Sequence, residues 1–146
     1  MTEPYTPDPG APFPPRQDGV GMTCALGEPV DAMAPDQSEI RFLAQVQEGS
    51  MVHCRLPVGG VSLAVTHRTV EELWYVLSGE GELWRRQGEQ QQVVTLRAGI
   101  SLSIPLGAHF QFRNTGAEPL QFIIVTMPPW PGAEEAVRVP DYWPIS

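Results

Sequence analysis

A chain of 146 residues with 16 prolines and a formal charge of −8 has the size of one domain with a real core and is too short for two comfortable ones. Its nine arginines form no basic stripe, it has no lysine, and it carries 17 acids, so nucleic acid, whose binding rests on neutralised phosphates, is not an expected partner. The apolar runs are only a handful of residues long and no charged start precedes one, so no membrane partner is expected and the expected compartment is the cytoplasm.

Six prolines fall within TEPYTPDPGAPFPPR at the start, where each fixes its backbone angle and removes a donor that a ladder needs. Residues 1–35 therefore read as an extended proline-rich arm. From residue 36 to 127 only Pro57, Pro105 and Pro119 occur, and the runs EIRFLAQV, SMVHCRL, VSLAVTH, LWYVLSG, QQVVTLR, ISLSIP, HFQFRN and PLQFIIVTM alternate apolar and polar residues. Glycines such as Gly49, Gly79, Gly88 and Gly99 punctuate them, a pattern of short strands in an antiparallel barrel or sandwich. Residues 128–146 are again proline-rich but hold Trp130, Tyr142 and Trp143, a poor composition for disorder, so this C-terminal arm is expected to pack on the barrel. GAEEAVR within it is the only helical candidate. Cys24 and Cys54 are too few for a disulfide scaffold and lack thiolate-site spacing; they read as ordinary thiols.

Two stretches carry more than periodicity. GGVSLAVTHRTVEELWYVLSG places Gly59, Val65, His67, Glu72 and Gly79 in a fixed spacing, and GISLSIPLGAHFQFRN does the same for Gly99, Pro105, Gly107, Phe110 and Asn114. These stretches resemble the two motifs of the cupin superfamily, matching eight of ten motif positions, with Val65 and Phe110 standing where that family has histidines. The resemblance implies an all-β fold, a double-stranded β-helix or jelly-roll barrel spanning residues 36–127. In metal-bearing cupins the two first-motif histidines, the glutamate and the second-motif histidine converge on one divalent ion. Neither valine nor phenylalanine has an electron pair to offer, so His67 and Glu72 remain as two remnant ligands of a broken site. No cofactor is expected; a weakly held divalent metal is the other outcome the pattern allows. His109 could repair the set only through a bulge, because neighbouring strand residues point to opposite faces, and His53 belongs by parity to the face opposite Val52, Cys54 and Leu56.

Taking His67 and Glu72 as inward makes Val65, Trp74, Phe110 and Phe112 inward as well. The implied site is an aromatic pocket with one acid and one imidazole, whose burial brings their proton exchange near neutrality. Arg55, of opposite parity to the apolar face of its strand, is the candidate to meet an anionic ligand. Glu71 reads as a solvated surface acid. The pattern favours a small-molecule enzyme in which His67 and Glu72 act as general base and acid, of isomerase, epimerase, cyclase or lyase type. The bland reading is that the pair only fixes strand register and the rings only fill the core. Two further readings differ in class: a metal-dependent cupin with a non-standard ligand set, and a non-catalytic barrel that binds a small ligand. Exposed sheet edges and the proline-rich arm point to a homodimer. With no lysine, Schiff-base chemistry is excluded.

Overall fold

The computed structural model describes residues 20–145 and the backbone of Arg16 and Gln17; residues 1–15, 18 and 19 of the expected N-terminal arm lie outside the described residues. In chain order the strands are β1 (Arg16–Gln17), β2 (Met22–Thr23), β3 (Ala32–Met33), β4 (Glu39–Val46), β5 (Gly49–Leu56), β6 (Val65–His67) and β7 (Glu71–Ser78). They continue as β8 (Glu80–Gln87), β9 (Gln90–Arg97), β10 (Ser101–Ile104), β11 (His109–Asn114), β12 (Leu120–Met127) and β13 (Ala136–Arg138). A six-stranded sheet in the order β10-β7-β12-β5-β4-β3 faces a five-stranded sheet in the order β13-β6-β11-β8-β9, and all pairings are antiparallel. This is the jelly-roll barrel that the motif resemblance implies, built from the short antiparallel strands that the alternating pattern predicts.

The inward faces supply the core. Trp74 on β7 stacks on Phe122 of β12 with ring centroids 4.3 Å apart, and Phe112 of the opposite sheet meets both rings edge-on at 5.2 and 5.3 Å. Val76, Leu83, Leu96, Ile104 and Leu120 close the rest with almost no exposure. Such edge and stacked ring pairs add to the large apolar area that each ring removes from water. Gly79, between β7 and β8, has φ +85° and a side chain there would strike the Pro119 carbonyl, so both conformation and space demand glycine.

Several elements differ from the sequence reading. β8 has no counterpart in it: its charged residues mask the period, yet Leu83 is fully buried on one face and Trp84 is covered on the other. Arg113 of β11 pays back the charge of Glu82 through two hydrogen bonds of 3.0 and 2.6 Å. In VSLAVTH only Val65–His67 is strand. Ser62, Leu63 and Ala64 donate instead to Phe112 O, Asp36 O and Asp141 Oδ1, tying three separate segments rather than one ladder. GAEEAVR gives only a three-residue 3-10 turn, Ala133–Glu135, after which β13 joins β6. Before residue 36, β3 adds to the edge of β4.

The C-terminal arm covers the outer face of the five-stranded sheet. Gln111 is fully buried there and donates from Nε2 to Ser62 O and Trp143 O while its Oε1 accepts from the amides of Tyr142 and Trp143. Tyr142 stacks on Trp84, and the Arg113 guanidinium lies 4.5 Å from the Trp143 ring.

Candidate active site

Antiparallel register brings the polar groups of the barrel together. Glu72 pairs with Thr126 across β7 and β12, Trp74 pairs with Ile124, and Phe110 pairs with Val65 across β11 and β6. All six point inward, and with His67 they border a cavity of about 470 Å³, within the range of small-molecule sites.

Glu72 is buried, and its two oxygens have different neighbours. Oε1 accepts from Trp74 Nε1 at 2.9 Å, and Oε2 accepts from Thr126 Oγ1 at 3.4 Å. Burial pushes the carboxyl up to about 7 against these two hydrogen bonds, with the negative charges of Asp36 and Glu135 adding to the rise. His67 Nδ1 lies 3.9 Å from Oε2, beyond hydrogen-bond reach, and has no partner of its own. Burial lowers its pKa to about 4, opposed by the charge of Glu135. At neutral pH the imidazole is therefore uncharged and Glu72 is the group that exchanges its proton. Phe110 and Trp130 hold the imidazole edge-on, each with ring centroids 5.1 Å away.

Among the wall residues that the sequence reading missed, four carry polar or aromatic side chains that shape the site. Asp36 and Phe42 come from the N-terminal side, Thr126 from β12, and Trp130 from the C-terminal arm. Burial raises the Asp36 carboxyl, which Ser38 counters by donating from its amide at 3.0 Å and its hydroxyl at 2.6 Å. Thr126 follows by parity from Phe122 and Ile124, whereas nothing local in MPPWPGAEEAVR shows that Trp130 reaches His67. Glu135 pins this arm: it accepts from the Thr69 amide and hydroxyl, both at 2.6 Å, and from the Val70 amide at 3.0 Å. Burial acts to raise its pKa, but these hydrogen bonds outweigh it and the net shift is downward.

The remaining candidates stand elsewhere. Phe112 packs behind Trp74 in the core and does not border the cavity. Arg55 also lies away from it, because its strand neighbours Cys54 and Leu56 take the inner face and its guanidinium pairs with Glu39 at 3.1 Å. β11 runs beside β8 with no register shift from His109 to Asn114, so no bulge turns His109 inward. His53 is buried on the far face of β5, where burial and then the Arg41 charge lower its pKa. Among the described residues no three His, Cys, Asp or Glu side chains gather as a metal site. Val65 and Phe110 occupy the other two positions at the cavity wall without an electron pair, so this donor set does not fit the four-ligand ion of metal-bearing cupins. Asn114 has a structural role: its Nδ2 donates to Leu56 O and Glu118 O, and its Oδ1 accepts from the Gly116 amide.

The family described as "Cupin domain" matches residues 52–126. Among curated proteins, 82 residues are 35% identical to mannose-1-phosphate guanylyltransferase 2 of Escherichia coli O157:H7, a stretch covering 56% of this chain and 16% of that enzyme. The chain thus spans a small part of that relative. Among solved structures, a predicted oxalate decarboxylase of Thermotoga maritima superposes with a TM-score of 0.54 at 23% identity, covering 62% of this chain and 79% of that one. Streptomyces PAC13, solved with uridine, superposes with a TM-score of 0.58 at 14% identity, covering 71% of this chain and 78% of that one. These two likenesses show the fold.

Proposed function

The chain belongs to the cupin domain family, and from that premise we propose that it is a small-molecule enzyme in which Glu72 is the general acid and base and His67 a neutral hydrogen-bonding partner. The observation that carries this is a buried carboxyl facing an unpartnered imidazole nitrogen across 3.9 Å in a cavity walled by aromatic rings. In its ionised form Glu72 takes a proton from the substrate, and the resulting carboxylic acid returns it to another substrate atom. Isomerisation, cyclisation and elimination need no more than this; epimerisation also needs a proton delivered to the opposite face of the same carbon. Relative to the sequence reading the roles shift, since the imidazole is too weak a base at neutral pH and the carboxyl has the matched pKa. No step passes through a metal, because the side chains at the family's ligand positions do not fit one.

The relatives lend breadth: one carries the name of a sugar-nucleotide enzyme, one that of an oxalate decarboxylase, and one was solved with a nucleoside. A second reading, a non-catalytic ligand-binding barrel, is favoured by the same gap, since a hydroxyl seated between Glu72 and His67 would satisfy both without reacting. Deuterium exchange separates the two. The full chain in D2O, given a panel of cyclic ketones, lactones and hydroxyaldehydes, is expected to label one or more at a carbon beside the carbonyl, and Glu72→Gln is expected to abolish labelling. Binding without labelling in the native protein would leave the second reading.

We further propose a homodimer and a cytoplasmic location. The first is supported by Leu73, Tyr75 and Leu77, whose side chains line the outer face of β7 at 43–50% exposure, a stripe that a second copy would cover. The second is supported by the free thiols Cys24 and Cys54. No helix among the described residues is long and apolar enough to cross a membrane.

A further inference from the structure

We propose that the cavity selects ring-bearing alcohols and amines, whose hydroxyl or ammonium sits between Glu72 Oε2 and His67 Nδ1, and rejects carboxylates and phosphates. The proposal rests on the cavity being the ligand site argued above and adds the charge of the ligand. Its first support is the distribution of charge. Asp36 and Glu72 both border the cavity, and among the described residues no arginine does. Arginines beside it are turned to other partners: Arg41 to Glu28 O, Arg55 to Glu39, Arg68 to Glu134 O, Arg85 to Ser103 O and Arg138 to Asp141. With no lysine in the chain, the described walls offer an anion no cation, and its own charge would meet two acids.

The second support is geometric. The side chain of His67 is only 6% exposed, yet its Nδ1 has no partner, and Oε2 of Glu72 stands 3.9 Å away with only the long Thr126 contact. One oxygen or nitrogen can lie at hydrogen-bond distance, about 2.8 Å, from both atoms. A hydroxyl accepts from protonated Glu72 and donates to Nδ1; an ammonium donates to both when Glu72 is ionised. The rings of Trp74, Phe110 and Trp130 around this point suit an apolar ligand body and also favour a cation. Specificity then comes as much from exclusion as from attraction.

Calorimetry of the full chain at neutral pH with three ligands of one shape tests this: 3-phenylpropan-1-ol, 3-phenylpropan-1-amine and 3-phenylpropanoate. The alcohol and the amine are expected to bind at least about tenfold more tightly than the acid, a difference of about 1.4 kcal/mol. Glu72→Gln is expected to remove the amine's advantage, and Asp36→Asn, which keeps the Ser38 contact, to narrow the gap to the acid. Equal or tighter binding of the acid, or no binding of any of the three at millimolar concentration, overturns the proposal. The charge preference and the deuterium labelling fail separately: preference without labelling sinks only the enzymatic reading, and labelling without the preference sinks only this one.

Discussion

Glu72 and His67 are shifted in opposite directions by the same burial, and the consequence for stability depends on sign. Between its ordinary value of 4.5 and its folded value of about 7, Glu72 holds a proton in the folded state that the unfolded chain has lost, so its contribution to stability declines as pH rises through that window. Between about 4 and the ordinary 6.5, folded His67 lacks a proton that the unfolded chain binds, so its contribution grows as pH rises. Over the shared range the two nearly cancel. Urea denaturation of Glu72→Gln is therefore expected to show stability rising from pH 4 to 6.5, by an amount on the order of 3 kcal/mol, and His67→Phe to show a fall of that order from pH 4.5 to 7. Parallel profiles in both variants would count against the assigned shifts. Trp74→Phe is expected to raise the Glu72 pKa further by removing the 2.9 Å donor, and to cost about 2–4 kcal/mol through the lost hydrogen bond and the gap beside Phe122. Parity from His67 and Glu72 placed Val65, Trp74 and Phe110 at one wall in advance. It could not separate Phe112, on the same face of β11, from the cavity, because depth along a barrel depends on which strands pair and with what stagger.

At the scale of elements, the C-terminal arm is a wall of the site, held by two buried side chains. Gln111 fastens its end to the five-stranded sheet with three hydrogen bonds, and Glu135 fastens its middle to the turn after β6 with three. Gln111→Leu leaves the amides of Tyr142 and Trp143 without acceptors and is expected to cost about 2–4 kcal/mol. Amide hydrogen exchange is expected to show this as faster exchange at residues 136–143 before any change in β7 or β12; uniform loss of protection would mean that the arm and barrel unfold as one unit. The strands with clean alternation, such as Glu71–Ser78 and Leu120–Met127, were legible from residue type alone. β8 was not, since EGELWRRQ owes its strand state to Glu82 meeting Arg113 and Trp84 lying under Tyr142, both long-range partners. The same holds for residues 61–64, whose backbone amides are drawn to partners far along the chain.

For the whole molecule, short antiparallel strands followed from alternation, and the barrel architecture from the family resemblance that glycines and a proline at fixed intervals carry. The site's enclosure did not, because it depends on segments from both ends folding over one mouth of the barrel. The proposed dimer belongs to this scale. Light scattering is expected to give twice the 16.1 kDa chain mass, and Tyr75→Glu, which puts a charge in the centre of the apolar stripe on β7, to give the single-chain mass with an unchanged fold. A native mass of one chain would remove the dimer.

The central claim is that a neutral imidazole and a proton-exchanging carboxyl face each other in this cavity. Carbon-detected NMR titration of the side-chain carboxyl of Glu72 and the ring of His67, in the native full chain, measures it directly. The expected result is a Glu72 midpoint near 7 and a His67 midpoint near 4. Midpoints at the ordinary values of 4.5 and 6.5 would contradict it.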